Sequence, residues 1–306
     1  VPLRHKIERQ ILQLTGLSLN TVNYNEPQGD PGLFGPDAVC WRIHSDFPAM
    51  LCGGISALML QMLHPLALAG VWDHSNFRED MLGRLRRTSQ FVAATTFAPK
   101  DEAQRLIERV KQIHKRVEGI AADGRPYKAE DPELLTWVHV CEVYSFMQGY
   151  LRYKNPNLAL DYQNRYFKEV ALVAYKLGAE KVPESAEEIE VYLQSKRSDL
   201  IFDTRTAEVM RALFNAPTPN TLTKPIGRTM THAGFDLLPD WAIEMNPKPL
   251  GLAQRSIARA GLRALAPTMR WSLRNGVSTL ACRRMGIKPF WQRSEAELFY
   301  GTQHRV

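Results

Sequence analysis

The sequence predicts an all-α protein. Apolar residues recur at three- and four-residue spacing in segment after segment, and no stretch alternates apolar and polar residues as a half-buried strand does. Helix start and stop signals, such as Asp131-Pro132 and Gly178, flank the periodic segments. With 306 residues, 44% hydrophobic and 23% charged, the chain can bury a substantial core. The net charge of +7 permits an anionic partner without requiring one.

In chain order, residues 1–31 form an N-terminal extension. A helix is expected over Arg4–Leu14, with Ile7, Ile11 and Leu14 on one face, and a loop of turn formers follows from Asn25 to Gly32. A short helix is expected over 37–46.

Residues 47–72 contain no Asp, Glu, Lys or Arg; their strongly polar side chains are Gln61 and His64. That length of apolar chain suits either a buried core helix or a membrane span. Gly53-Gly54, Ser56, Gln61, His64 and Pro65 argue for the core helix. Pro65 removes a backbone donor, so a kink or a break near Gln61–His64 is expected, with carbonyls left free by a kink there.

A helix over 101–118 opens on Asp101 and Glu102 and is expected to stop at Gly119. Ala103, Leu106, Ile107, Val110, Ile113 and Val117 make its buried stripe, and His114 lies on that stripe. The helix opening at Asp131-Pro132 is apolar on nearly every face and carries His139. Further helices are expected from Asn155-Pro156 to Gly178, from a capping box at Ser185–Glu188 to Lys196, and over Thr204–Asn215.

Residues 216–250, broken by six prolines, read as a long connection. From Met245 to Ser294 there is no acidic residue, and Arg255, Arg259 and Arg263 form an i, i+4, i+8 stripe. The organisation expected is the extension 1–31, a helical domain over 32–250, and a basic helical segment over 251–306 packed on that domain. The basic segment is either a solvated face or a surface for anionic lipid.

Cys40, Cys52, Cys141 and Cys282 form no CxxC and suggest no disulfide framework. The N-terminus lacks the pattern of a secretory signal, so a cytoplasmic setting is expected, with or without peripheral membrane contact. Nucleotide cradles, the GxSxG elbow, HExxH and ExxH are all absent. No nucleic-acid signature appears.

What remains is a helical fold with inward histidines. An imidazole on an apolar stripe is either a hydrogen-bonded core residue or a ligand, and haem iron takes such a ligand. His114 is the first candidate, with His64 and His139 behind it. Arg84, Arg87 and Thr88 share one helical face. Two guanidiniums and a hydroxyl aimed at one place suit carboxylates or a bound oxygen species; the plainer alternative is a solvated basic helix.

A set of motifs occurs in fixed order: Gly32-Leu-Phe-Gly35-Pro36, Trp41-Arg42-Ile43, Gln61-Met-Leu-His64-Pro65, Gly70-Val-Trp-Asp-His74-Ser75, Arg84-Leu-Arg-Arg87-Thr88, Ile113-His114 to Gly119, Tyr127-Lys-Ala129-Glu-Asp131-Pro132 and Trp137-Val-His139. Together they resemble the family of the rubber oxygenases and the fungal MpaB oxygenase, over roughly residues 32–250. The resemblance implies a globin-like helical domain that binds haem b and uses dioxygen on apolar, unsaturated or isoprenoid-like substrates. It implies His114 as the iron ligand, with Arg84 and Thr88 beside the haem. Rubber oxygenases carry Lys where this chain has Arg87. Arginine keeps its proton, so a closed state with that side chain on iron is not expected here. The pocket glutamate of rubber oxygenases has no matching position in these motifs; Glu79 is the nearest acid.

The expectation is therefore a haem b-dependent oxygenase with Arg84, Arg87 and Thr88 as catalytic candidates, His114, Arg84, Arg87, Thr88, His64 and His139 as cofactor candidates, and His114 on the metal. Its partners would be an apolar small molecule and dioxygen, with peripheral membrane contact through residues 250–288 as a further expectation. The alternative is a non-catalytic helical protein that holds haem or a lipid-like ligand.

Overall fold

The apolar segment 47–72 is two helices: of the kink or break expected near Gln61–His64, the structure has a break. In the computed structural model α3 (Phe47–Gln61) and α4 (Pro65–His74) meet at 105°. His64 ends one path and starts the other: its Nδ1 accepts the Leu66 N–H at 3.3 Å, and Pro65 occupies the first helical position, where its missing donor costs nothing. The carbonyls expected to be left free are bonded. Gln61 O accepts from Trp137 Nε1, Leu63 O from the Ile201 N–H, and Met62 O from Thr206 Oγ1.

The structure describes residues 3–15, 22–218, 223–294, 297 and 299. Among them are fourteen α-helices and one two-stranded hairpin, so the all-α expectation holds. Before the bend lie α1 (Leu3–Thr15) and α2 (Val39–His44); after it come α5 (Met81–Phe97), α6 (Lys100–His114), α7 (Pro132–Tyr153), α8 (Leu160–Leu177), α9 (Ala186–Lys196), α10 (Thr204–Phe214), α11 (Lys224–Asp236), α12 (Asp240–Glu244), α13 (Leu252–Ser272) and α14 (Val277–Arg284). No single described helix is long and apolar enough to cross a membrane.

The core is built on α3 against α7. Their backbones approach closely because glycine stands at the crossing. A Cβ on Gly53 would lie 2.8 Å from the Ser145 carbonyl oxygen, and one on Gly149 would lie 2.6 Å from that of Ala49. Asp46 caps α3 by accepting the Ala49 N–H, and Arg270 of α13 grips the same carboxylate at 2.7 and 3.2 Å while donating to Tyr153 O at the end of α7. One arginine thus ties three helices together.

Several expectations change. The helix through His114 ends there rather than at Gly119. Gly119 instead pairs with Tyr127 in a hairpin of β1 (Glu118–Ile120) and β2 (Pro126–Lys128), too short to leave an alternating pattern in the sequence. Tyr127 Oη donates to Asp73 Oδ2 at 2.6 Å, and His74 Nε2 lies 3.2 Å from Glu118 O, so these motif residues fasten the hairpin to α4. Helix α8 starts at Leu160, because Asn155 Oδ1 accepts the Asn157 N–H and holds a turn first. Residues 216–250 hold α11 and α12 rather than one long connection, although 219–222 fall outside the described residues.

The basic stripe is partly internal. Arg255 and Arg259 bond the fully buried Asp236 at 2.8–2.9 Å, and Arg152 joins them at 2.9 Å. Burial alone would raise the Asp236 pKa, but hydrogen bonds from Arg259 and Arg255 and the charge of Arg152 outweigh it and hold it below the ordinary carboxylate range. Arg284 is also buried and donates to the carbonyls of Asp30, Tyr24 and Phe97. All four cysteines are free and buried.

Candidate active site

A cavity of about 800 Å³ lies among α3, α4, α5, α6, α7 and α8. Its walls are mainly apolar, with Leu58 from α3, Met62 just after it, Val110 from α6, Val138 and Phe146 from α7, and Leu177 from α8. Its volume is that of a small-molecule or cofactor pocket. A few polar groups interrupt the walls, and their pairing distinguishes them.

Helices α5 and α6 pack together and are joined by only Ala98 and Pro99. Asp30, from the turn-rich loop, accepts the Lys100 N–H and so caps α6 from outside. At 1.5 Å per residue, Arg84 on α5 and His114 on α6 lie at similar depths, roughly 20 Å along their helices from that connection. Both line the cavity.

Arg84 Nη1 donates to Ser75 Oγ at 3.1 Å, while its Nε is buried without a partner. No carboxylate pairs with it among the described residues. Burial, and then the charge of Arg87, depress its pKa to about 10, so it stays a cation at neutral pH. His114 Nδ1 is likewise buried and unpartnered; the carbonyl or carboxylate that commonly orients a ligating imidazole is not bonded to it. Burial lowers the His114 pKa, which favours the neutral, ligating form.

The Arg84/Arg87/Thr88 face divides. Arg84 turns inward. Arg87 is exposed at the cavity edge and pairs with Asp80 at 3.3 Å, and Thr88 Oγ1 donates back to Arg84 O. His139 lines the cavity with Nε2 buried and unpartnered, and burial lowers its pKa to about 4. His64 does not line the cavity. It is spent on capping α4 and lies against Trp137, ring centroids 5.8 Å apart.

Glu142 is the residue the sequence reading missed. It lines the cavity one helical turn after His139, and burial pushes its pKa up to about 7 against a hydrogen bond from Gln61. Glu79, by contrast, is exposed and accepts from Asn76. A signal was present, because Glu142 is the lone acid between Leu134 and Tyr153 in an otherwise apolar helix. His44 also reaches the cavity, but Thr96 and Tyr166 occupy both of its ring nitrogens.

An all-α framework thus walls off an apolar cavity of small-molecule size and sets unpaired imidazoles and an uncompensated cation in its surface. The chain belongs to the family described as ER-bound oxygenase mpaB/B′/rubber oxygenase, catalytic domain, whose model matches residues 41–271, about three-quarters of its length. It therefore carries an oxygenase catalytic domain. No curated protein and no solved structure matches it.

Proposed function

We propose that the cavity binds haem b, whose iron His114 would hold, and that the chain is an oxygenase acting with dioxygen on an apolar substrate. The observation that carries this reading is the coexistence, in one apolar cavity, of the unpaired His114 imidazole and the Arg84 guanidinium without a carboxylate partner. A haem has the complementary chemistry: an iron that takes one protein nitrogen, an apolar macrocycle and carboxylate side chains. No cluster of three or more metal-ligating side chains occurs among the described residues, and haem needs none.

The residues fit the group in distinct ways. His114 is held neutral by burial and would hold the iron through a ring nitrogen. Arg84 would take a carboxylate through its free donors, its Nη1 being anchored on Ser75. When bound, haem supplies the dioxygen chemistry, and the protein supplies orientation and polarity. Leu58, Val138 and Phe146 would position an apolar chain and exclude water. Glu142, its pKa pushed up to about 7 by burial, would accept or return a proton at the cavity wall.

The test is reconstitution of the purified chain with haem, followed by its visible absorption spectrum. An intense Soret band is expected. His114→Ala should abolish or shift the band and weaken haem retention by roughly tenfold or more. Unchanged spectrum and affinity in that variant would rule out the ligand assignment.

A second reading, a binder of apolar ligands without chemistry, draws on one observation. Arg87 stands exposed with Asp80 instead of pointing into the cavity. Oxygen consumption by the haem-loaded protein with unsaturated isoprenoid chains separates the two.

A further inference from the structure

Surface helices normally cover their outer face with charge. Helix α13 does not. Its inner face carries the buried Ala258, Leu262, Ala266 and Met269. Its outer face presents Ile257 at 73% exposure and Trp271 at 46%, with Leu252 at 77% at the start of the helix. Ile257 and Trp271 lie fourteen positions apart, close to four full turns, so they share one ridge. Just beyond the helix Trp291, 44% exposed, lies under the Arg274 guanidinium at 4.7 Å.

The charges around this ridge are mainly basic, with the exposed Asp240 near Arg255 at 3.7 Å and Glu297 near Lys288 and Arg293 as the acids beside it. Residues 245–294 contain no acid. The acids elsewhere in the fold consume Arg255, Arg259 and Arg270, and backbone carbonyls consume Arg284. Lys248, Arg263, Arg283 and Lys288 remain exposed and in no ion pair among the described residues. Exposed aliphatic and indole side chains ringed by unpaired cations match an anionic lipid interface, where indoles sit at headgroup level and each nearby cation adds attraction.

The position of the ridge adds a second, independent argument. The segment that follows Trp271 lines the cavity through Leu273, Gly276, Val277 and Ser278. The same corner of the fold is therefore lipid-like outside and cavity wall inside.

We propose that the corner formed by α13, α14 and Trp291 docks on an anionic bilayer surface. Resting on the functional reading above, it would admit an apolar substrate to the cavity from the lipid. The occupant is a bilayer rather than a second copy of the chain, because a ridge whose border is basic on balance would repel the same border on another copy.

The full chain is floated with vesicles of phosphatidylcholine alone, and with vesicles of phosphatidylcholine mixed with phosphatidylglycerol, at low and high salt. Binding to the anionic vesicles is expected, weakened by salt. Joint substitution Ile257→Glu and Trp271→Glu should lower the partition coefficient roughly tenfold or more. Joint substitution Arg263→Gln and Arg274→Gln should weaken binding to anionic vesicles by a similar factor and leave neutral vesicles unaffected. The second pair reads the proposal independently should the first disturb folding, which circular dichroism reports. Absence of vesicle binding overturns the proposal, as does binding that neither pair alters. So does a concentration-dependent dimer that the first pair abolishes, which would give the ridge to a second copy. Haem content is measured on the same samples, so vesicle binding without haem refutes the functional reading alone.

Discussion

Arg84 Nη1 donates to Ser75 Oγ at 3.1 Å across the bend between α4 and α5, and that hydroxyl is the one side-chain partner the guanidinium has among the described residues. A cation half-hidden beside an apolar cavity without a counter-ion is unfavourable unless a ligand supplies the charge.

Arg84→Met should therefore separate stability from binding. Without ligand, the variant is expected to melt within about 1 kcal/mol of the wild type or above it, because an uncompensated cation has gone. Haem retention should fall roughly tenfold, the loss of one charge-assisted carboxylate contact. Thermal melts of the haem-free protein and haem titration give the two numbers. Equal retention in both proteins would remove Arg84 from the site.

Glu142 should make stability fall as pH rises. Its folded pKa is raised to about 7 by burial, above the roughly 4.3 of an unfolded glutamate. Between those values the folded state holds more protons than the unfolded one, so stability is greatest below the unfolded pKa and declines as pH climbs through 7. Glu142→Gln should flatten that decline and gain roughly 1–3 kcal/mol at pH 8. Urea melts at pH 5 and pH 8 check this, and a decline of the same size in the variant would show that another group is responsible.

Asp236 has the opposite sign. Its folded pKa is depressed by its three arginines, so its contribution is present above the unfolded carboxylate pKa and is lost as pH falls through the folded value. Asp236→Asn should cost about 3–5 kcal/mol at neutral pH by stranding those guanidiniums. It should also weaken acid sensitivity. Chemical denaturation of both proteins from pH 7 to pH 3 tests the two statements together.

Gly149→Ala should destabilise by about 1–3 kcal/mol, because the new Cβ meets the Ala49 carbonyl oxygen at 2.6 Å and α3 must move from α7. An unchanged denaturation midpoint would mean that the α3–α7 crossing can open at little cost.

The elements were legible wherever a local rule set them. Pro65, Asp131-Pro132, Ser185 and Gly178 mark helix ends through their own backbone constraints, and the structure puts ends there. His114 was legible as a cavity residue because it lies on the apolar stripe of α6. Spacing on α5 correctly grouped Arg84, Arg87 and Thr88 but could not say which would turn inward. That depends on Ser75 and Asp80, which reach Arg84 and Arg87 by way of the α4–α5 connection.

What the sequence determined by itself was the all-α class, the family and the helix ends set by local caps, since periodicity, caps and ordered motifs are properties of neighbouring residues. The tertiary structure decided which polar groups are paired. Asp236 takes Arg255 and Arg259 out of the surface stripe, the α3–α4 break uses His64 as a cap, and the approach of α7 to α3 brings Glu142 into the cavity. Each of these depends on burial and on contacts between residues distant in the chain, which fix both the dielectric around a charge and the partner that answers it.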